Sequence, residues 1–183
     1  MRKIITFTTL ATLLFVGISS LKAQKNTGDK IKKVLYFNPE VDPDIEEIKE
    51  PTNTAFLSAV SDNLSERKSR MLKTDTQISF DSIDKKTIAD YCDNNDADFA
   101  IVPKVKYFKV GIGKYVFSNQ VIVSMKLFDA DGNFVTQTDY DTYRKNMRLL
   151  GSTTNSVKIG TNGAIKGILK ELRKLKSSTE AGF

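Results

Sequence analysis

Alternating apolar and polar residues predict most of the strands in this chain. The run KKVLYFN, residues 32–38, is a compact apolar stretch that ends at a proline, which is typical of a buried strand. Residues 98–110 alternate between two faces, with Phe99, Ile101, Val105 and Tyr107 on one face and Ala100 and Val102 on the other. Residues 118–144 alternate on both sides of the turn sequence DADGN and predict a β-hairpin. QISF, residues 77–80, predicts one further short strand.

Apolar residues at helical spacing predict three helices. The first extends from about residue 53 to residue 73, with an apolar stripe formed by Phe56, Val60 and Leu64. The second, which Ser82 is expected to cap, has one inner face made of Ile88, Tyr91 and Cys92. The closing helix has an apolar stripe of Ala164, Ile165, Ile168, Leu169, Leu172 and Leu175. Residues 39–54, which hold several prolines and a run of acids, are expected to form an exposed loop.

These elements follow the order β-α-β-α-β-β-β-α. Because crossovers between parallel strands are right-handed, we expect the first three strands to be parallel and the hairpin to be antiparallel. A chain of 183 residues is long enough for one domain with a substantial core. The sequence therefore predicts a single α/β domain over residues 32–176, with helices packed on a mixed β-sheet, and a disordered tail over residues 177–183.

The beginning of the chain, residues 1–23, has the pattern of a secretory signal peptide. Arg2 and Lys3 precede an apolar stretch, and small and polar residues follow it up to Ala23. Cleavage near Ala23 would leave residues 24–31 as a linker and deliver the protein to the periplasm or the exterior. An uncleaved anchor is the alternative, although the apolar stretch is short for a membrane span. No cysteine stands just after this stretch, so lipid anchoring of the exported-lipoprotein type is not expected.

The net charge changes once the predicted signal is removed. Arg2, Lys3 and Lys22 leave with it and no acid does, so the charge falls from +6 to +3. Nucleic acid is therefore not expected as a partner. The basic residues of the closing helix complement the helix dipole, and they also permit peripheral contact with an anionic membrane surface.

The only cysteine, Cys92, stands beside three acids, Asp93, Asp96 and Asp98. A lone cysteine forms no internal disulfide, and the inner face of a helix favours a buried thiol. Asparagines at this point favour a helix end, and the three acids match no metal-ligand spacing. The turn DADGN resembles a calcium loop, but its glycine comes too early and no closing glutamate follows. Both segments are interpreted as structural, and no metal is expected.

The residue types needed for common catalysis are scarce. The chain contains no histidine, which excludes Ser-His and Cys-His nucleophile pairs and the commonest general base. GIGK, residues 111–114, lacks the length and the following hydroxyl residue of a phosphate-binding loop. Paired carboxylates could still cleave sugars, although the sequence does not show which of its 22 acids would pair. We therefore expect a non-enzymatic protein without a cofactor.

The segment KVKYFKVGIGKYVF, residues 104–117, is the candidate contact surface. Its lysines and aromatic residues interleave around a glycine turn, and aromatic residues beside cations often anchor partner contacts. The alternative is that Val105 and Tyr107 face the core while the lysines protect an edge strand from aggregation. The residues expected to bind a partner are Lys106, Phe108, Lys109, Lys114 and Tyr115.

Two segments resemble a group of envelope proteins. ADYCDNNDADFAIVPKV leads through Ala97-Asp98 into a long strand, and VIVSMKLFDADGNFV has a D-x-x-G turn from Asp129 to Gly132. With the element order, they resemble the group that includes the curli secretion channel subunit CsgG, the lipoprotein LpoB and the amino-terminal domain of TolB. The resemblance extends over residues 32–175 and implies an α/β domain that contacts envelope proteins and has no catalytic residues. The lipid-anchoring cysteine of the first two is absent here, and VLYFNPEVDPD replaces their VLPF-type run.

The predicted function is that of an exported, non-enzymatic envelope protein that docks onto another envelope protein through an exposed edge or loop. The alternative is a carrier that holds a small apolar or lipidic ligand between the sheet and the helices. The sequence leaves the identity of the partner and the oligomeric state open.

Overall fold

The computed structural model describes residues 32–65, 69–109, 117–146 and 152–180 of the chain. The predicted signal peptide and linker lie outside these residues, and so do residues 110–116 between two of the strands. Within the described ranges, no helix combines the length and the apolar character needed to cross a membrane.

Within the described residues, six strands form one mixed β-sheet. They are β1 Lys32–Asn38, β2 Glu40–Asp42, β3 Ser69–Gln77, β4 Phe99–Lys109, β5 Phe117–Asp129 and β6 Phe134–Asp141. β1 pairs in parallel with β3 and β4, and the short β2 continues beyond β1 along the same side of β4. β5 pairs antiparallel with both β4 and β6, which gives the strand order β3-β1-β4-β5-β6. The predicted parallel crossovers and antiparallel hairpin are confirmed.

In the part of the chain that the structure describes, four helices pack on this sheet: α1 Glu46–Ser65, α2 Lys85–Asn94, α3 Thr142–Asn146 and α4 Thr153–Glu180. The predicted α/β fold is therefore confirmed, with β2 and α3 as additional short elements. α4 continues to Glu180, so residues 177–180 extend the helix into the segment that was expected to be a disordered tail. The residue that caps α2 is Asp84 rather than Ser82, because its side chain accepts a hydrogen bond from the Thr87 amide at 2.8 Å.

α1 begins inside the segment that was predicted to be an exposed loop. Glu46 and Glu47 lie in its first turn, where acidic side chains interact favourably with the helix dipole. Pro51 lies within the helix on an exposed position. The loop prediction was wrong because packing of Phe56 and Val60 in the core outweighs the hydrogen bond lost at the proline.

β3 occupies residues that were predicted to continue the first helix. Its sequence, SRMLKTDTQ, alternates between half-buried and exposed positions, as a strand at the edge of a sheet does. QISF is not a separate strand, since β3 ends at Gln77 and Ile78 and Phe80 are buried in the irregular segment that follows. Their burial against α2 explains the alternation that suggested a strand.

The sheet separates two apolar cores. One lies beneath α1 and α4 and includes Phe56, Ile101, Val105, Tyr107, Val123 and Ile165. The other lies beneath α2 and includes Phe37, Ile88, Cys92, Ala100 and Val102. The alternation predicted along β4 is confirmed, because Phe99, Ile101, Val105 and Tyr107 face the first core and Ala100 and Val102 face the second.

Glycines bring α4 close to β5 and β6. Gly160 faces Val123, and Gly163 faces the ring of Tyr140 so closely that a Cβ at residue 163 would overlap the ring. This close approach fixes the position of the helix on the hairpin and helps to close the first core.

Candidate functional site

The sheet face that carries α2 also forms an open hollow of about 620 Å³ at its other end. The hollow receives side chains from β4, β5, β6, α3 and the segment before α2. They are Phe80, Asp81, Lys104, Lys106, Phe108, Ile122, Ser124, Asp139, Asp141, Tyr143 and Arg144. We call this surface the open face.

The strand register arranges the open face in two rows that cross the strands. From β2 to β6, the first row is Asp42, Lys106, Ile122 and Asp141, and the second is Glu40, Lys104, Ser124 and Asp139. Side chains that are paired across neighbouring strands lie on the same face of a sheet. Each row therefore has an acid at both ends and a lysine beside an uncharged residue in the middle.

Lys104 has a structural role in the second row. Its Nζ lies 2.8 Å from Oε1 of Glu40 and 2.9 Å from Oδ2 of Asp81. Hydrogen bonds to Glu40 and Asp81 raise the pKa of Lys104 above its usual value, and the same contact lowers the pKa of Asp81. The Phe80 amide donates to Oε2 of Glu40 at 2.7 Å. Lys104 and Glu40 thus tie β4 and β2 to the segment before α2.

Lys106 is more accessible than Lys104. Its Nζ lies 3.7 Å from Oδ2 of Asp42, and the two side chains keep 58% and 45% of their surface exposed. An exposed pair of this kind contributes only about 0–1 kcal/mol to stability. The ammonium group of Lys106 can therefore exchange Asp42 for a partner at little cost to the fold.

Phe108 and Tyr143 form an aromatic pair at one end of the open face. Their ring centroids are 6.4 Å apart, and Tyr143 is 59% exposed. α3 holds Tyr143 in this position, because Oδ1 of Asp141 accepts hydrogen bonds from the Tyr143 and Arg144 amides at 2.9 and 3.1 Å. The buried Thr142 hydroxyl accepts from the Val121 amide and donates to the Val121 carbonyl, both at 2.9 Å.

The structure brings two of the five predicted contact residues together. Lys106 and Phe108 both lie on the open face. Lys109 is the last residue of β4 and pairs with Phe117, while Lys114 and Tyr115 lie outside the described residues. The assignment of all five residues to partner binding stays a prediction.

The edge-strand alternative for these lysines was wrong. β4 pairs with β5 on one side and with β1 and β2 on the other, so it is an interior strand. The same alternative also placed Val105 and Tyr107 in the core. This part is confirmed, since both residues are buried.

Tyr143 also belongs to this surface and was not among the residues predicted from the sequence. The acid at Asp141 followed by Thr142 is a typical start of a helical turn and could have indicated α3. The meeting of Tyr143 with Phe108 depends on the register of the hairpin, which no local pattern reports.

Two of the acids near Cys92, Asp96 and Asp98, bind Lys33 at the junction between α2 and β4. Asp96, which adopts a positive φ of 49°, pairs with the Lys33 ammonium. Asp98 accepts a hydrogen bond from the Lys33 amide at 2.8 Å. Among the described residues, no group of three or more Cys, Asp or Glu side chains is placed to hold a metal ion. Burial, together with the negative charge of Asp129, raises the pKa of the Cys92 thiol to about 11.

A second cavity lies on the opposite face of the sheet. It has a volume of about 270 Å³ and lies between the carboxyl-terminal half of α4 and strands β1, β4 and β5. Its walls are apolar and its mouth carries Lys32, Ser69 and Arg173. We call it the α4 cleft.

No protein-family model and no curated protein matches the chain. Solved structures with some similarity include the PelC dodecamer from Paraburkholderia phytofirmans, at 8% identity and a TM-score of 0.49, covering 74% of this chain and 86% of PelC. Lipoprotein GNA1162 from Neisseria meningitidis has 12% identity and a TM-score of 0.41, covering 60% and 81%. A neuraminyllactose-binding hemagglutinin homolog from Helicobacter pylori has 12% identity and a TM-score of 0.43, covering 82% and 90%.

Proposed function

We propose that this protein is an exported, non-enzymatic docking module of the cell envelope that binds a protein partner through its open face. The observation that carries the proposal is the position of Phe108 and Tyr143, an accessible aromatic pair beside two rows that each have an acid at both ends and a lysine between them. Aromatic anchors surrounded by polar and charged groups are typical of the centre and rim of protein interfaces.

Two features of the sequence support this proposal. The pattern of residues 1–23 favours export, and the missing histidine removes the commonest catalytic chemistry. The resemblance to the CsgG, LpoB and TolB group points in the same direction, because it implies contact with other envelope proteins.

Site-specific photo-crosslinking in intact cells tests the proposed surface. A photoreactive phenylalanine derivative replaces Tyr143 in one strain and Phe134 in another. Phe134 is a matched control because it is 57% exposed and lies in a different part of the hairpin, packed beside Phe128. We expect position 143 to capture an envelope protein that position 134 does not capture. Equal capture at both positions, or no capture at position 143, would contradict the proposal.

The captured protein then allows a quantitative test. The double variant Phe108→Ala, Tyr143→Ala is expected to weaken its affinity by about tenfold or more, as the loss of an aromatic anchor does. Phe134→Ala is expected to leave the affinity unchanged. Thermal unfolding of each variant distinguishes a lost contact from a lost fold.

A further inference from the structure

The α4 cleft is an apolar hollow that opens to the surface between α4 and the sheet. Protein interiors are packed as densely as organic crystals, and few of their voids exceed one water molecule. The volume of the cleft, about 270 Å³, is several times larger than the share of one water molecule, which is about 30 Å³. A space of this size suits a ligand.

Both walls of the cleft are made of aliphatic and aromatic side chains. The sheet contributes Val34, Phe99 and Leu127, and α4 contributes Ile165, Leu169 and Leu172. Such walls favour a hydrocarbon group, since apolar surface gains about 25 cal/mol for each Å² removed from water.

The mouth of the cleft is positively charged. The ammonium nitrogen of Lys32 lies 5.7 Å from the centroid of the Phe99 ring, so a cation stands directly beside the apolar wall. Arg173 is exposed and follows Leu172, which places a guanidinium group next to the other wall. A guanidinium group binds a carboxylate with paired, charge-assisted hydrogen bonds. The charges at the mouth therefore complement an anionic group attached to an apolar tail.

We propose that the α4 cleft binds a single-chain carboxylate amphiphile, such as a fatty acid, with its tail between α4 and the sheet and its carboxylate at Lys32 and Arg173. The volume lies near the lower end of small-molecule pockets, which is about 300 Å³, and fits one chain better than the two chains of a phospholipid. This site is independent of the open face, which lies on the opposite side of the sheet.

The test is a calorimetric titration of the delipidated protein, expressed from its full sequence, with sodium dodecanoate and with dodecanol. We expect dodecanoate to bind at one site per chain. Leu169→Trp, which fills the cleft, should abolish this binding. The double variant Lys32→Gln, Arg173→Gln should weaken the affinity for dodecanoate by about tenfold or more. It should change the affinity for dodecanol little, because only the carboxylate contacts the two cations. Lys170→Gln is the matched control, since Lys170 is exposed on α4 and does not line the cleft.

Three outcomes would overturn the proposal. The first is no binding of dodecanoate to the unaltered protein. The second is binding that Leu169→Trp leaves intact. The third is a cleft occupied by a second copy of the chain, which would appear as self-association that Leu169→Trp abolishes. If Leu169→Trp does not fold, a photoreactive fatty acid takes its place as the test, and labelling confined to peptides outside β1, β3, β4, β5 and α4 would exclude the site.

Discussion

The hydroxyl oxygen of Tyr107 lies 2.5 Å from Oγ1 of Thr52 and joins β4 to α1 inside the core. Both residues are buried, and Oγ1 of Thr52 also donates a hydrogen bond to the Ile48 carbonyl at 2.5 Å. A threonine hydroxyl has one hydrogen to donate, so the Tyr107 hydroxyl is the donor to Thr52. The two bonds form a chain from the strand through Thr52 to the helix backbone.

This arrangement predicts that substitution of Thr52 lowers the stability of the protein more than substitution of Tyr107. Thr52→Val leaves the buried Tyr107 hydroxyl without an acceptor and should lower the free energy of unfolding by about 1–3 kcal/mol. Tyr107→Phe removes the hydroxyl and leaves Thr52 bonded to Ile48, at a cost of about 0.5–1.5 kcal/mol. Urea unfolding measures both values. A Tyr107→Phe variant that is less stable than Thr52→Val would contradict this account.

Tyr107 also predicts a loss of stability at alkaline pH. Burial raises the pKa of Tyr107 above its usual value, because the charged phenolate would lose its contact with water. Below the pKa of an unfolded tyrosine, about 10, the phenol is protonated in both states. As the pH rises above this value the unfolded chain ionises first, so the free energy of unfolding falls until the pH passes the folded pKa.

The absorbance of tyrosinate measures this late ionisation. Tyr107 should titrate at a higher pH than an unperturbed tyrosine, and Tyr107→Phe should remove that step. A titration that the substitution leaves unchanged would show that Tyr107 is not the residue responsible.

Cys92 is expected to be unreactive in the folded protein. The side chain is 1% exposed and the thiol has a pKa of about 11, so little thiolate is present at neutral pH. Ellman's reagent at pH 8 should modify the native protein slowly and the urea-unfolded protein rapidly. Since Cys92 is the only cysteine, the signal has a single source. Rapid modification without urea would contradict the burial of the thiol.

The close packing of α4 against the hairpin predicts that alanine substitutions at two of its glycines differ in their effect on stability. A Cβ at residue 163 would overlap the Tyr140 ring, so Gly163→Ala should cost about 1–3 kcal/mol in spite of the better helix propensity of alanine. At residue 167 a Cβ would lie 3.0 Å from Cγ2 of Thr138, a contact that a small shift relieves. Gly167→Ala should therefore be close to neutral. Thermal unfolding of the two variants checks this order, and equal stabilities would refute it.

The predicted contact residues beyond β4 can be tested with the captured partner. Tyr115→Ala is expected to weaken binding as Phe108→Ala does, because the sequence places both beside lysines around one glycine turn. Surface plasmon resonance measures the two variants and their combination. If Tyr115→Ala leaves the affinity unchanged while Phe108→Ala lowers it, the partner contacts the open face without this turn.

The sequence predicted those elements whose pattern is strong over many residues. β4 and β5 carry apolar residues at nearly every inward position, so the two-residue alternation typical of a strand was clear in both. The boundary between α1 and β3 was not predictable in this way. An edge strand such as SRMLKTDTQ buries little, and the pairing with β1 that stabilises it is not visible in its own residues. Prolines and acids likewise concealed the start of α1, because tertiary packing overrides local propensity there.

The candidate site was predictable only in its β4 part. Lys106 and Phe108 stand out as a cation and an aromatic residue with outward-facing positions. Tyr143 and the acids of β6 reach the same surface through hairpin register and through α3. Those relationships are long-range, and a single sequence gives no direct signal for them.

The residues on the two sides of the sheet differ in how much they contribute to folding. α1 and α4 cover one side with a core of buried apolar residues, whereas the rows of the open face combine the exposed pair of Lys106 and Asp42 with the more buried pair of Lys104 and Glu40. The exposed residues of the open face can therefore be exchanged over evolutionary time, or by a protein engineer, with little penalty to folding, whereas exchange of Lys104 or Glu40 would break contacts with the segment before α2. We expect relatives of this protein to retain the apolar residues beneath α4 and to differ on the open face, so that one scaffold serves different partners.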